Sequence, residues 1–185
     1  METKKIFHAP VIHEELNSLK AGDTIYLRGS IITARDAAHK RIYQLLQEGK
    51  PLPIELKDQV IYYAGPCPAR PGLIIGSCGP TTSSRMDVYT PLLLEHGLKA
   101  MIGKGPRSAQ VIESMIKHGA VYLAAVGGAG ALIASCIKKV EAVAFEDLGP
   151  EAIYRMEVED MPLLVAIDAR GNNLYEIGPR QFARI

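Results

Sequence analysis

Two arginines, Arg35 and Arg85, a lysine, Lys104, and the hydroxyl run Thr81, Thr82, Ser83 and Ser84 sit in short polar segments between apolar stretches. Such residues recognise anions, because a guanidinium grips a carboxylate or phosphate bidentately and an ammonium adds a point charge. Arg107 is a fourth candidate cation, although a lone arginine near a helix start is as readily a solvated side chain. Thr81 and Thr82 have a plain alternative as helix caps. What favours a site is convergence. From residue types alone the chemistry is capture of a small anion carrying more than one carboxylate or phosphate, and it stops short of a reaction.

Sharper motifs fail on spacing. The stretch from Gly97 to Gly103-Lys104 has the wrong glycine interval for a phosphate loop, and Gly105 stands where a magnesium-binding Ser or Thr is needed. Gly128-Ala129-Gly130 lacks the third glycine of a dinucleotide fingerprint, since Ile133 holds that place. Cys67, Cys78 and Cys136 are too far apart for an iron–sulfur ligand run. Cys136 reads as packing, and Cys78 borders the proposed site. His8, His13, His96 and His118 show no metal spacing, while His39 and Lys40 read as surface residues or as support behind the site.

Positioning these residues requires strands that end at one edge. Leu73–Ile75, Ala100–Ile102, Val121–Val126 and Val140–Phe145 read as strands. Helices are expected over Ser84–His96, Ser108–His118 and Ala129–Lys138, with Pro91 kinking the first or delaying its start. The alternation implies right-handed crossovers and a four-stranded parallel sheet. Upstream, Thr24–Ile32 reads as a strand feeding a helix that starts near Thr33, with Asp36 completing its cap, Ala38, Ile42, Leu45 and Leu46 as its stripe, and Gly49 closing it. Downstream, Tyr154–Val158 and Leu163–Ile167 read as strands before a turn at Gly171-Asn172-Asn173. Ligands of open α/β sheets bind beyond the carboxyl ends of the strands. That rule selects the loops Thr33–Asp36, Cys78–Arg85, Gly103–Arg107 and Gly127–Gly130, whose helix N-termini add partial positive charge.

The 185 residues suit one domain, 1–185, with 48% hydrophobic and 22% charged residues supplying a core. A net charge of +1 excludes a broadly basic nucleic-acid binder. Three cysteines, an odd number, suit a reducing compartment. The start at Met1-Glu2-Thr3-Lys4-Lys5 has no apolar signal region, and glycines interrupt the uncharged stretch Gly119–Ile137, so neither export nor a membrane span is expected. The expectation is a soluble, cytoplasmic protein.

Several motifs together resemble one family. Gly79-Pro80-Thr81-Thr82-Ser83-Ser84-Arg85-Met86-Asp87, Thr33-Ala34-Arg35-Asp36-Ala37-Ala38-His39, Ile102-Gly103-Lys104-Gly105 and Ala125-Val126-Gly127-Gly128-Ala129 are similar to the β subunit of class I fumarate hydratase and of the related L(+)-tartrate dehydratase. Phe145-Glu146-Asp147-Leu148-Gly149-Pro150-Glu151-Ala152-Ile153 and Asp160-Met161-Pro162 extend the likeness over nearly the whole chain. The resemblance implies an α/β fold of the swivelling β/β/α type, with a central parallel sheet, flanking helices and additional antiparallel strands. It implies an α subunit carrying a [4Fe–4S] cluster whose open iron is a Lewis acid, a hetero-oligomer such as a dimer of αβ pairs, and no activity for this chain alone. It assigns Arg35, Arg85 and Lys104 to the carboxylates of a C4 dicarboxylate substrate, Thr81 to a catalytic hydroxyl, and Thr82 to a place beside it. The implied reaction is reversible hydration of fumarate to (S)-malate. Tartrate as substrate, and a stand-alone anion-binding or regulatory module, are the rival readings.

Overall fold

The computed structural model describes residues 5–125 and 128–183. Residues 1–4, and Val126 and Gly127 of the expected strand end and glycine loop, lie outside the described residues. Along the rest run β1 (Ile6–Ala9), α1 (His13–Ser18), β2 (Thr24–Thr33), α2 (Asp36–Gln47) and β3 (Val60–Tyr62). A 3-10 turn at Ser83–Met86 precedes α3 (Thr90–Glu95), β4 (Ala100–Gly103), α4 (Ala109–His118) and β5 (Val121–Ala124). The chain then forms α5 (Gly130–Cys136), β6 (Ile137–Ala144), β7 (Ile153–Ile167) and α6 (Leu174–Phe182).

Helix α4 begins and ends where its polar residue and glycine direct. Ser108 caps α4 by accepting a hydrogen bond from the Val111 N–H, and Gly119 closes the helix at φ +60. Pro91 sits in the first turn of α3, so the expected long helix is in fact a 3-10 turn followed by a short α-helix starting late. Thr33 does not cap α2. It is the last residue of β2, and its Oγ1 accepts the Tyr154 N–H at 3.1 Å, which ties β2 to β7.

The seven strands form one sheet in the order β1-β2-β3-β4-β5-β7-β6, with an added β2–β7 pairing. Strands β1 to β5 pair in parallel, and β7 runs antiparallel to β2, β5 and β6. Pairing therefore closes a circuit from β2 through β3, β4, β5 and β7 back to β2. The parallel centre is present with a different membership from the expected one. Leu73–Ile75 is no strand: Leu73 and Ile74 are 59% and 51% exposed, and only Ile75 is buried. Its place belongs to β3, three residues long and wholly buried. The expected strand at Val140–Phe145 falls in β6, which is antiparallel, and the two expected strands after it are one continuous β7.

Both faces of the parallel strands are buried, in two cores. Val60 and Tyr62, Ala100 and Ile102, and Val121 and Leu123 contribute to one; Ile61, Tyr63, Met101 and Tyr122 belong to the other, under Ala38 and Ile42 of α2 and Val111 and Met115 of α4. No helix among the described residues is long and apolar enough to cross a membrane.

The β1–β2 pairing depends on Gly29. It sits at φ +106 with Ala9 as its register partner, and a Cβ there would lie 2.1 Å from the Ala9 carbonyl oxygen. Gly29→Ala is expected to lower stability by about 2–4 kcal/mol through strain and backbone overlap. An unfolding free energy from urea melts within about 0.5 kcal/mol of wild type would show that β1 yields there instead.

Candidate functional site

The parallel strands β2, β3 and β4 end at one edge, with Arg35 after β2, Thr81, Thr82 and Arg85 in the segment that follows β3, and Lys104 after β4. The missing fourth strand does not disturb this. Residues 64–80 leave the end of β3 and return antiparallel, through an Ala64–Pro80 bridge, a Tyr62 hydroxyl that donates to the Cys78 carbonyl at 2.7 Å, and a Thr81 N–H that donates to the Tyr63 carbonyl at 2.7 Å. The hydroxyl loop thus arrives at the end of β3 by backbone hydrogen bonds. It then pairs in parallel with the end of β4 at Thr82 and Lys104, where the Ser83 N–H donates to the Lys104 carbonyl at 2.9 Å.

Arg35 and Arg85 meet at one carboxylate. Asp36 Oδ2 accepts from Arg35 Nε at 3.1 Å and lies 2.8 Å from Arg85 Nη2. Glu151 adds a second acid, with Oε1 3.5 Å from Arg35 Nε and Oε2 accepting the Ala37 N–H at 2.8 Å. That amide lies in the first turn of α2, where free N–H groups and the helix dipole favour an acid. The Arg35 Nε edge is therefore fixed, while its two Nη groups have no hydrogen-bond partner among the described residues. Gly65 makes room for this side chain: a Cβ there would lie 2.9 Å from the Pro150 carbonyl oxygen and 3.1 Å from Arg35 Cδ. Arg85 is half exposed, and Lys104 and Thr82 are exposed, whereas Thr81 is partly covered. Lys104 Nζ likewise has no partner among the described residues.

Arg107 is not part of this group. Its side chain is fully buried, with Nε on Asp87 Oδ1 at 2.7 Å, Nη2 on Thr90 Oγ1 at 2.8 Å, and its guanidinium over the Tyr63 and Tyr122 rings. It holds α3 and its preceding turn against the loop after β4. His39 is not a surface residue either: it is fully buried against Tyr63, while Lys40 is exposed. Glu151, which braces Arg35, was not singled out for the site in the sequence. It lies more than a hundred positions from Arg35, and its only sequence signal is membership of the family-like stretch around Gly149-Pro150.

The cysteines form no disulfide. Cys67 is exposed, Cys78 and Cys136 are buried, and all three are unpaired. Burial pushes the Cys78 thiol up to about 12, and Cys136 Sγ contacts the Leu132 carbonyl as ordinary packing. Among the described residues no three His, Cys, Asp or Glu side chains are placed to hold a metal ion. Among the described residues the donor set does not fit a [4Fe–4S] cluster. A groove of about 520 Å³ between Cys67, Leu73 and Ile75 on one side and Ala131 and Ala134 of α5 on the other is apolar and contains none of the candidate cations.

Comparison with known proteins adds the following. A family model described as fumarase C-terminus matches residues 2–178. Fumarate hydratase 1, mitochondrial, from Leishmania major is 43% identical over 90% of this chain and 31% of its own length. Fumarate hydratase class I, anaerobic, from Escherichia coli K12 is 43% identical over 88% of this chain and 30% of its own length. The putative L(+)-tartrate dehydratase subunit beta of Methanocaldococcus jannaschii is 41% identical over 88% of this chain and 87% of its own. The chain thus spans less than a third of the two fumarate hydratases and most of the tartrate dehydratase subunit.

Burial of His39 has a measurable consequence. Its Nδ1 lies 3.2 Å from the Arg35 carbonyl, which can only accept, so Nδ1 carries the proton and Nε2 is left without a partner among the described residues. Burial lowers its pKa from 6.5 to about 4, with the Arg35 carbonyl opposing and the Arg107 charge assisting. Above pH 6.5 the ring is neutral whether folded or unfolded. As pH falls toward 4 only the unfolded chain gains the proton, and this contribution to stability is lost at no more than about 1.4 kcal/mol per pH unit. The loss of stability between pH 7 and pH 5 should be smaller in His39→Leu than in wild type by on the order of 1–2 kcal/mol. Parallel pH curves from denaturant melts would overturn the buried neutral state.

Proposed function

The chain belongs to the fumarase C-terminus family, and on that premise we propose that residues 1–185 form one swivelling-type domain. In this reading it is the β-type half of a hydro-lyase that interconverts fumarate and (S)-malate. The observation that carries the reading is the meeting of Arg35 and Arg85 at one Asp36 oxygen, on the edge where Lys104 pairs with Thr82. A C4 dicarboxylate needs two separate cationic grips, and this edge supplies three cations on three neighbouring loops.

The arginines and the lysine bind the substrate carboxylates. The hydration joins a hydroxyl to one alkene carbon and a proton to the other, and no electrons are exchanged. In the reverse direction, loss of the carbon-bound proton puts negative charge onto the adjacent carboxylate. Preorganised guanidinium donors there stabilise that charge more than they stabilise the ground state. Arg35 suits this task because acids hold its Nε and leave its Nη fork open. Thr81 contributes a hydroxyl to the reacting centre and Thr82 a substrate contact. A neutral threonine is a weak base, so Thr81 works with a carboxylate from the α-type partner. That partner also brings the [4Fe–4S] cluster, which supplies Lewis-acid chemistry when present. The three free cysteines of this chain suit the cytoplasm.

A second reading, with L(+)-tartrate as substrate, is favoured by the likeness to the Methanocaldococcus protein of that name, and both substrates are C4 dicarboxylates. Assays with (S)-malate, fumarate and L(+)-tartrate on the complex with its cluster-bearing partner separate the two. Arg85 is the informative position, since it is half exposed and its ion-pair partner is Asp36. Arg85→Ala should lower kcat/KM by about 30- to 1,000-fold, equivalent to losing about 2–4 kcal/mol of carboxylate contact, while the two chains still co-purify. Near-normal turnover would remove Arg85 from the site.

A further inference from the structure

Tyr122, in the middle of β5, is fully buried, and its hydroxyl reaches two loops of the candidate site. It lies 2.9 Å from the Gly105 carbonyl and 2.8 Å from Ser83 Oγ. A carbonyl can only accept, so the single phenol proton goes to Gly105 and Ser83 must donate its own proton to the tyrosine oxygen. Ser83 follows Thr81 and Thr82 and shares a 3-10 turn with Arg85; Gly105 follows Lys104. One buried oxygen therefore links the segment carrying two of the proposed substrate groups and the catalytic hydroxyl to the segment carrying the third cation.

Three further features hold this link in place. The Ser83 side chain packs directly on the Gly103 backbone, where a Cβ would lie 1.9 Å from Ser83 Oγ. The Arg107 guanidinium covers the Tyr122 ring at 5.1 Å and is itself anchored to Asp87 and Thr90. Outside the link, the two segments share the Ser83 N–H bond to Lys104 at 2.9 Å and a longer Lys104 N–H bond to Thr81 at 3.4 Å. Burial drives the Tyr122 phenol above its ordinary pKa range, so it keeps its proton at working pH.

We propose that Tyr122 is a positioning residue that sets the separation between Arg85 and Lys104, and with it the fit of the two loops to a C4 dicarboxylate. It touches no substrate and acts through Ser83 and Gly105. The proposal rests on reading this edge as a dicarboxylate site.

The test is Tyr122→Phe, which deletes one oxygen and keeps the ring beneath Arg107. Ser83→Ala and the double variant complete a cycle. In wild type, (S)-malate should shift the amide signals of Thr82, Lys104 and Gly105 in an NMR titration of the full chain. In Tyr122→Phe the dissociation constant for (S)-malate should rise about tenfold. In the complex with its partner KM should rise by a similar factor and kcat change less than about threefold, because ground-state and transition-state binding are weakened alike. The effect of the double variant should stay near that of the larger single one, since both singles remove the same link. A lowered melting temperature with unchanged malate affinity and KM would make Tyr122 merely structural and overturn the proposal. A wild-type chain whose amides do not respond to malate, in a complex inactive on malate, fumarate and tartrate, would overturn the site reading itself and the proposal with it.

Discussion

Strand β7 makes the circuit of strands possible. Over Ile153–Ile167 it pairs with β2 along most of its length, with β6 near its start and with β5 near its end. Without it β2 and β5 would each present an unpaired backbone edge, and parallel strands with both faces apolar do not tolerate that in water. A single strand can serve three neighbours because β6 and β5 take successive stretches of it, Ile153–Val158 and Leu164–Ile167, while β2 pairs along both. The β2 pairing shifts between Leu27 and Gly29, opposite Asp160 at φ +53, where Arg28 Nε reaches the Asp160 carboxylate at 2.7 Å. Closing the circuit fixes how β2 sits relative to β4 and β5, and so fixes the distance between the loop of Arg35 and the loop of Lys104. The site edge follows from a pairing made elsewhere in the chain.

Gathering cations at that edge has an electrostatic cost that the same loops offset. Arg35 and Arg85 would repel each other in the absence of a substrate. Asp36 lies between them, and Glu151 stands behind Arg35 while also capping the first turn of α2. These acids compensate the arginines and leave the Nη edge of Arg35 available. A net charge of +1 over the whole chain conceals this arrangement, because the balance is struck locally, residue against residue. Arg107 shows the other use of the same side chain. Enclosed by Asp87, Thr90 and two tyrosine rings, it has no donor surface left for a ligand.

What the sequence made legible was local chemistry. Pro91 marks a late helix start, Gly119 a helix end, and the polar loops after Thr33 and Ile102 mark the carboxyl edge, because each rests on a short-range backbone preference. Strand β3 was not legible. Three residues give too little periodicity, and Leu73-Ile74-Ile75 offers a better apolar run whose exposure is decided only by where the loop 64–80 folds back. Arg85 and Arg107 could not be told apart for the same kind of reason. Both stand in polar loops near short helices, and only tertiary contact sends one to the edge and the other into the core. His39 and Lys40 are adjacent, yet the turn of α2 puts one against Tyr63 and the other in water. Short helices α1 and α6 lie in stretches where no stripe long enough to count is present.

The open state of the edge bears on what a covering surface would do to it. Arg85 is half exposed and Lys104 exposed, so a bound carboxylate would sit in a largely aqueous setting, where each ion pair contributes little and salt screens it further. The same cations become far more effective when a second surface excludes water, because the effective dielectric falls while the geometry, already fixed by β7 and by the buried hydroxyl link, does not have to change. Under the proposed function, a rigid half-site that binds weakly alone and strongly when covered would couple substrate capture to assembly. The preorganisation lies in the fold of this chain, and the desolvation that makes it count comes from whatever closes over it.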